Sequence, residues 1–181
     1  METEKGLLQK QIDLLINFGK EKGFITEEEL MTRLEHLNAD ADDMFNQVIS
    51  ARWFVYPHEC WSTLAEASGE TVYRYVFTKE NGYMGTWHSG EMIYMYGNVK
   101  NSTKSYRYNE SDLKLSDSMS KYIMNFVKTD NPNYEGAAEW APWSSGSHKV
   151  MEFGDNVSMI DDPFTFLYGV MKQYDEYLAT K

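Results

Sequence analysis

Six consecutive residues, Val72-Tyr73-Arg74-Tyr75-Val76-Phe77, are β-branched or aromatic except for one arginine. No other stretch of the chain is so committed to a β-strand. A loop with glycines at 82, 85 and 90 follows and carries His88, and a second apolar run, Met92 to Tyr96, closes the unit at Gly97. A histidine in a glycine-punctuated loop beyond a strand end is a common setting for a catalytic base. The rigid strand positions a loop whose shape is free, and the imidazole titrates near neutrality. The same position also suits an ordinary solvated histidine, and the loop alone does not separate the two.

The 181 residues suffice for one domain with a real core but are short for two. At 42% hydrophobic and 25% charged, the composition is that of a globular protein. Thirteen Tyr, nine Phe and five Trp call for a substantial core or an aromatic-lined pocket. A net charge of −11 argues against a nucleic-acid partner, which needs clustered Lys and Arg. One cysteine, Cys60, excludes an intrachain disulfide, and no Cys/His cluster has the spacing of a zinc site. The expectation is therefore no metal and no cofactor. No run is long and apolar enough to cross a bilayer, and METEKGLLQK lacks the apolar core of a signal peptide. The chain reads as cytoplasmic with no membrane partner. Asn-x-Ser/Thr sequons at Asn101, Asn109 and Asn156 would matter only in a secreted protein.

Helical spacing of Leu8, Ile12, Leu15 and Phe18 predicts a helix over 7–19, with Gly23 supporting a stop. Thr26 to Glu29 suits a capping box before a second helix lined by Leu30, Leu34 and Leu37, and a third covers Met44 to Ser50. Residues 1–41 thus form a helical N-terminal segment, distinct from 42–181. Ser62 to Ser68 reads as helix ended by Gly69, and 98–112 as a polar surface loop. Ser116 is the expected cap of a helix whose apolar face is Met119, Ile123, Phe126 and Val127, ending before Asp130-Asn131-Pro132-Asn133. Val150 to Phe153 is expected as a short edge strand. Asp162-Pro163 would start a last helix with Leu167, Val170, Tyr174 and Leu178 buried.

Of the four histidines, His88 is the convincing base; His36 and His58 fall in helical or pre-strand contexts, and His148 precedes the expected edge strand. The Gly-x-Ser-x-Gly elbow of a serine nucleophile occurs nowhere in the chain. Ser89 and Ser145 have glycine neighbours without strand–turn–helix context. Cys60 sits in an aromatic stretch that suits a buried thiol. Glu91 could orient the loop by accepting backbone hydrogen bonds, or stand as a solvated carboxylate.

Taken together, Val72–Phe77, Gly85-Thr86-Trp87-His88-Ser89-Gly90-Glu91-Met92 and Tyr94-Met95-Tyr96-Gly97 resemble the C-terminal region of type-B carboxylesterases. These are the α/β-hydrolases related to cholinesterases and para-nitrobenzyl esterases. The resemblance continues in order through Leu115–Met119, Tyr122–Asn133, Trp140-Ala141-Pro142-Trp143 and the final aromatic helix, covering roughly 42–181. It implies an α/β fold, the C-terminal part of an α/β-hydrolase with few strands flanked by helices, incomplete relative to the family. It also implies that His88 is the base of a Ser–His–Glu triad and that Glu91 supports the site without being the triad acid. Ser89-Gly90 departs from the family, which commonly has glycine directly after the histidine.

The family's nucleophile elbow and oxyanion-hole loop have no counterpart in these residues. Glu21, in Asn17–Gly23, is only faintly similar to the family's Asn-x-x-Glu-Gly acid motif, in a helical context and at a short distance along the chain from His88. The resemblance then implies a segment that supplies the catalytic histidine for carboxylic ester hydrolysis and is inactive alone. A small-molecule ester would be its substrate once the fold is completed, and a complementary hydrolase chain or self-association would complete it. The alternative is a non-catalytic, esterase-like interaction module.

Overall fold

The computed structural model describes residues 14, 17–23, 49–80, 88–104 and 107–180. The chain divides into two compact units, residues 1–59 with 164–181, and residues 60–163. The expected helices lined by Leu30 and by Met44 lie outside the described residues, apart from a helical turn at 49–50. Of the first expected helix, residues 14 and 17–22 are described and helical, and they run on to Gly23. Gly23 has a φ of +87° and donates its N–H to Gly19 O at 2.7 Å, the left-handed stop that a glycine allows.

A π-helical stretch, Ala51–Val55, leads into helix α1, Tyr56–Ala67. Gly69 ends α1 as expected: its φ is +84°, its N–H bonds to Glu66 O, and the N–H of Glu70 reaches back to Ala65 O. That pair of bonds is a Schellman motif, which satisfies carbonyls that a helix end leaves open.

Strand β1 is shorter than its apolar run, covering Tyr75–Phe77. Upstream, the carbonyls of Val72 and Arg74 still accept the N–H groups of Trp143 and Met151, at 2.7 and 2.9 Å. Helix α2, Met92–Met95, and the long helix α3, Glu110–Thr129, separate β1 from β2, Lys149–Phe153. β1 and β2 pair in parallel, with Tyr75 opposite Met151 and Phe77 opposite Phe153. Such pairing requires a crossover of this kind. β3, Val157–Asp161, returns antiparallel to β2. The strand order is β1-β2-β3.

β2 is therefore the central strand, not the expected edge. Val150, Met151 and Phe153 are buried, so both of its faces are covered. The hairpin partner β3 carries only half-buried and exposed positions, which is why its pattern gives a weak strand signal.

α3 begins at Glu110, inside the stretch 98–112 expected as a surface loop, not at Ser116. Its N-cap is Asn109, whose Oδ1 accepts the N–H groups of Ser111 and Asp112, while Asp112 Oδ2 accepts the N–H of Asn109. This reciprocal capping box uses Asn and Asp in place of the commoner Ser/Thr and Glu. Ser116 lies inside the helix, buried, donating to Tyr94 O at 3.0 Å. The buried face runs Leu115, Met119, Tyr122; Val127 points away from it and is 71% exposed.

Among the described residues, the core is an aromatic cluster centred on Trp140. Trp140, 2% exposed, meets Tyr73, Tyr75, Tyr122 and Phe153 edge-on, with ring centroids 5.3 to 6.1 Å apart. Edge-to-face pairs of this kind add about 1 kcal/mol each beyond the area they bury. Trp140 Nε1 donates to Arg74 O at 3.0 Å, which satisfies the indole and pins it to the strand entry.

The last helix, α4, spans Thr165–Leu178. Asp162 does not cap it. Its buried carboxylate pairs instead with Arg74 at 3.4 Å, and Arg74 lies over the Trp143 ring. The buried side of α4 is Tyr168 and Met171, one position round from the expected stripe; Tyr174 and Leu178 are about half exposed. Arg52 bonds Asp175 at 2.9 Å and covers the Tyr174 ring within the same unit.

Candidate active site

His88 follows the carboxyl end of β1, and in sheets with parallel strands that end is where ligands gather. Its side chain is exposed, in a turn over residues 88–91 that runs directly into α2. Ser89 adopts a φ of +65°. Left-handed backbone costs a side chain bearing Cβ roughly 1–2 kcal/mol, and glycine little. The glycine expected directly after the histidine thus answers a backbone demand, and serine meets that demand here with strain. Gly90 is buried, and the Ser89 carbonyl accepts the N–H of Met92 at 3.2 Å, fusing the turn to the helix.

Glu91 occupies the N-cap position of α2 without a side-chain capping bond; its carbonyl accepts the N–H groups of Tyr94 and Met95. It is half-buried and lies within electrostatic reach of Tyr75 on β1. The Tyr75 phenol is pushed up to about 12, first by burial and then by the charge of Glu91, with Tyr96 contributing less. The two candidate residues therefore share one turn but differ in exposure, His88 exposed and Glu91 half-buried.

Cys60 is half-buried in α1, and Ser145 donates its backbone N–H to the Glu66 carboxylate. His148, at φ +47°, uses its backbone to accept from Asp162 N–H and to donate to Ser144 O. His58 is exposed, and His36 lies outside the described residues. Among the described residues, no three His, Cys, Asp or Glu side chains gather as a metal site would require.

Sequence reasoning missed several buried polar groups that join α3 to its neighbours. Asp112, 2% exposed, accepts the Tyr94 hydroxyl at 2.8 Å. Lys79, 7% exposed, donates to Ser111 Oγ and to Asp155. Ser116 and Ser120 donate to the carbonyls of Tyr94 and Met95. The signal for them was the Asn109-x-x-Asp112 spacing, hidden in a stretch that reads as polar loop.

A small mixed sheet with one parallel pair joined by a helical crossover, flanked by helices, is part of an α/β-hydrolase fold. The chain belongs to the carboxylesterase family, whose family model matches residues 8–167. Among solved structures it is similar to the carboxylesterase EST55 of Geobacillus stearothermophilus at 19% identity and a TM-score of 0.66. That match covers 86% of this chain and 36% of the other. It is also similar to an esterase from Clostridium hathewayi, which hydrolyses aliphatic aromatic polyesters, at 21% identity and a TM-score of 0.60. There the match covers 84% of this chain and 34% of that one. The chain thus spans about a third of the length of both structures.

Proposed function

We propose that this chain supplies the general base of a carboxylic ester hydrolysis, His88, to a nucleophile and an acid that lie outside its residues. The observation that carries this reading is the position of His88, in a tight turn beyond the carboxyl end of β1, in a chain of the carboxylesterase family. The neutral imidazole would take the proton of a serine hydroxyl as the oxygen attacks the ester carbonyl, then return it to the departing alkoxide. Water would repeat the cycle to release the acid. Glu91, half-buried beside Tyr75, would hold the turn in place rather than exchange protons.

A small-molecule ester is the substrate on this reading, and the partner is a hydrolase segment bearing the serine elbow. A cytoplasmic setting belongs to the same reading. The test is to mix the purified chain with a carboxylesterase segment that carries the elbow and follow hydrolysis of a short aryl ester. Activity should require both pieces and fall by several orders of magnitude with His88→Ala, toward the million-fold known for triad histidines. Turnover that survives His88→Ala would refute it.

A second reading, an interaction module without catalysis, is favoured by the exposed apolar face of α1. Trp61 and Leu64, one turn apart, are 78% and 68% exposed, and apolar surface of this kind invites a partner. Binding to the elbow segment that leaves no esterase activity at any ratio would select this reading.

A further inference from the structure

Lys79 and Tyr94 lie on either side of His88 in the chain, and their side chains end on neighbouring residues. Lys79 donates to Ser111 Oγ at 3.0 Å, and the Tyr94 hydroxyl donates to Asp112 Oδ1 at 2.8 Å. The rings of Phe77 and Tyr94 meet with centroids 5.1 Å apart, so the strand end and α2 also touch directly. Asp155, in the β2–β3 turn, takes a second bond from Lys79.

From this geometry we infer that the first turn of α3 is the device that positions His88. It holds Lys79 and Tyr94, which flank the histidine in the chain, on Ser111 and Asp112. Asp112 is committed twice, with Oδ2 holding the Asn109 N–H at 2.7 Å and Oδ1 holding Tyr94. The carboxylate that closes the capping box of α3 is thus the one that seats α2. The Ser89–Met92 backbone bond passes that placement on to the turn bearing His88. Fixing Tyr94 at a rigid point removes much of the freedom of the turn that runs into α2. A buried carboxylate that loses a partner has no water to replace it. Lys79, Tyr94 and Asp112 are positioning residues on this view, and none is required to touch substrate. The inference deepens the reading of His88 as a base and depends on it only for the purpose the placement serves.

The test uses the full chain and reads placement without turnover. Tyr94→Phe keeps the ring and removes only the hydroxyl; Asp112→Asn sets an amide where a second acceptor is needed. Both should speed amide hydrogen exchange at Met92 and Met95 at least tenfold relative to Met151 in β2, and shift the His88 ring resonance. Tyr122→Phe, which removes the hydroxyl bonded to Ala138 O, controls for general loosening of the core and should do neither. Lys79→Met should act from the other end, with Lys79→Arg restoring the His88 resonance. Should Asp112→Asn fail to fold, Tyr94→Phe and the Lys79 pair carry the test.

Exchange and resonance in Tyr94→Phe and Lys79→Met that match Tyr122→Phe would overturn the inference. The reconstituted esterase separates the two proposals. Turnover lost with His88→Ala but unchanged in kcat with Tyr94→Phe would sink the positioning role and keep the base. Displaced His88 signals, with turnover indifferent to His88→Ala, would do the reverse.

Discussion

Two stretches of residues 60–163 carry the family resemblance, and they are built on opposite principles. From Asn125 to Trp140 every recognisable residue is spent on structure. Asn125 donates to the carbonyls of Asn131 and Asn133; Asn133 Oδ1 accepts the Trp140 N–H at 2.6 Å, and its Nδ2 returns a bond to Trp140 O. Asp130 ends α3 in the left-handed region at φ +57°. These amides close a short loop and deliver Trp140 to the middle of the core. From His88 to Tyr96 the backbone is strained at Ser89, the histidine faces outward, and order comes from side chains on another helix. A loop that only folds can satisfy its polar groups locally. The His88–Tyr96 stretch instead takes its bonds from residues on another helix, Ser116 and Ser120 to its carbonyls and Asp112 to the Tyr94 hydroxyl.

The largest effect that tests this contrast is at the buried end. Trp140→Ala should cost about 3–5 kcal/mol, read as a fall in the urea midpoint, because it empties an aromatic cavity and removes one of the two N–H donors on the Arg74 carbonyl. A loss under 1 kcal/mol would show that the aromatic cluster is not the keystone of this unit.

An intermediate effect joins the two regions. Tyr75, beside Glu91, and Tyr122, raised by burial and then by Tyr134, are both pushed up to about 12 from the usual 10. A phenol held protonated in the fold stabilises it fully below pH 10, and that contribution is lost as pH rises from 10 to 12. For Tyr75 this is on the order of 2 kcal/mol, taking 1.36 kcal/mol per unit. Phenolate absorbance should show two late-titrating tyrosines and a matching decline in stability. Glu91→Gln should bring Tyr75 ionisation to lower pH by less than the part that burial maintains. No change would place Glu91 away from the strand.

The smallest effect is at the strained turn. Ser89→Gly should relieve the left-handed φ and, after the added freedom of the unfolded glycine, raise stability by about 0.5 kcal/mol. A destabilised variant would mean that the serine side chain makes a contact worth more than the strain.

Local chemistry was legible wherever one residue type has one conformational use. Gly23 and Gly69 mark helix ends because only glycine takes a left-handed φ freely, and the aromatic run at 72–77 marks a strand. The start of α3 was missed because Asn109 and Asp112 look like loop residues until their reciprocal bonds are seen. The apolar stripes of α3 and α4 were placed about one residue off, since Val127, Tyr174 and Leu178 are apolar yet exposed. Periodicity finds a helix more reliably than it finds which face is covered.

The sequence by itself determined the family resemblance, the helix ends at Gly23 and Gly69, the strand at β1 and the candidate histidine, because each rests on residue identity and short spacing. Only the tertiary structure decided that β2 is central, that Ser89 is strained, and that Lys79 and Tyr94 converge on Ser111 and Asp112. Strand order and long-range hydrogen bonds join residues tens of positions apart, and such pairings are fixed by how packed surfaces fit rather than by any local pattern.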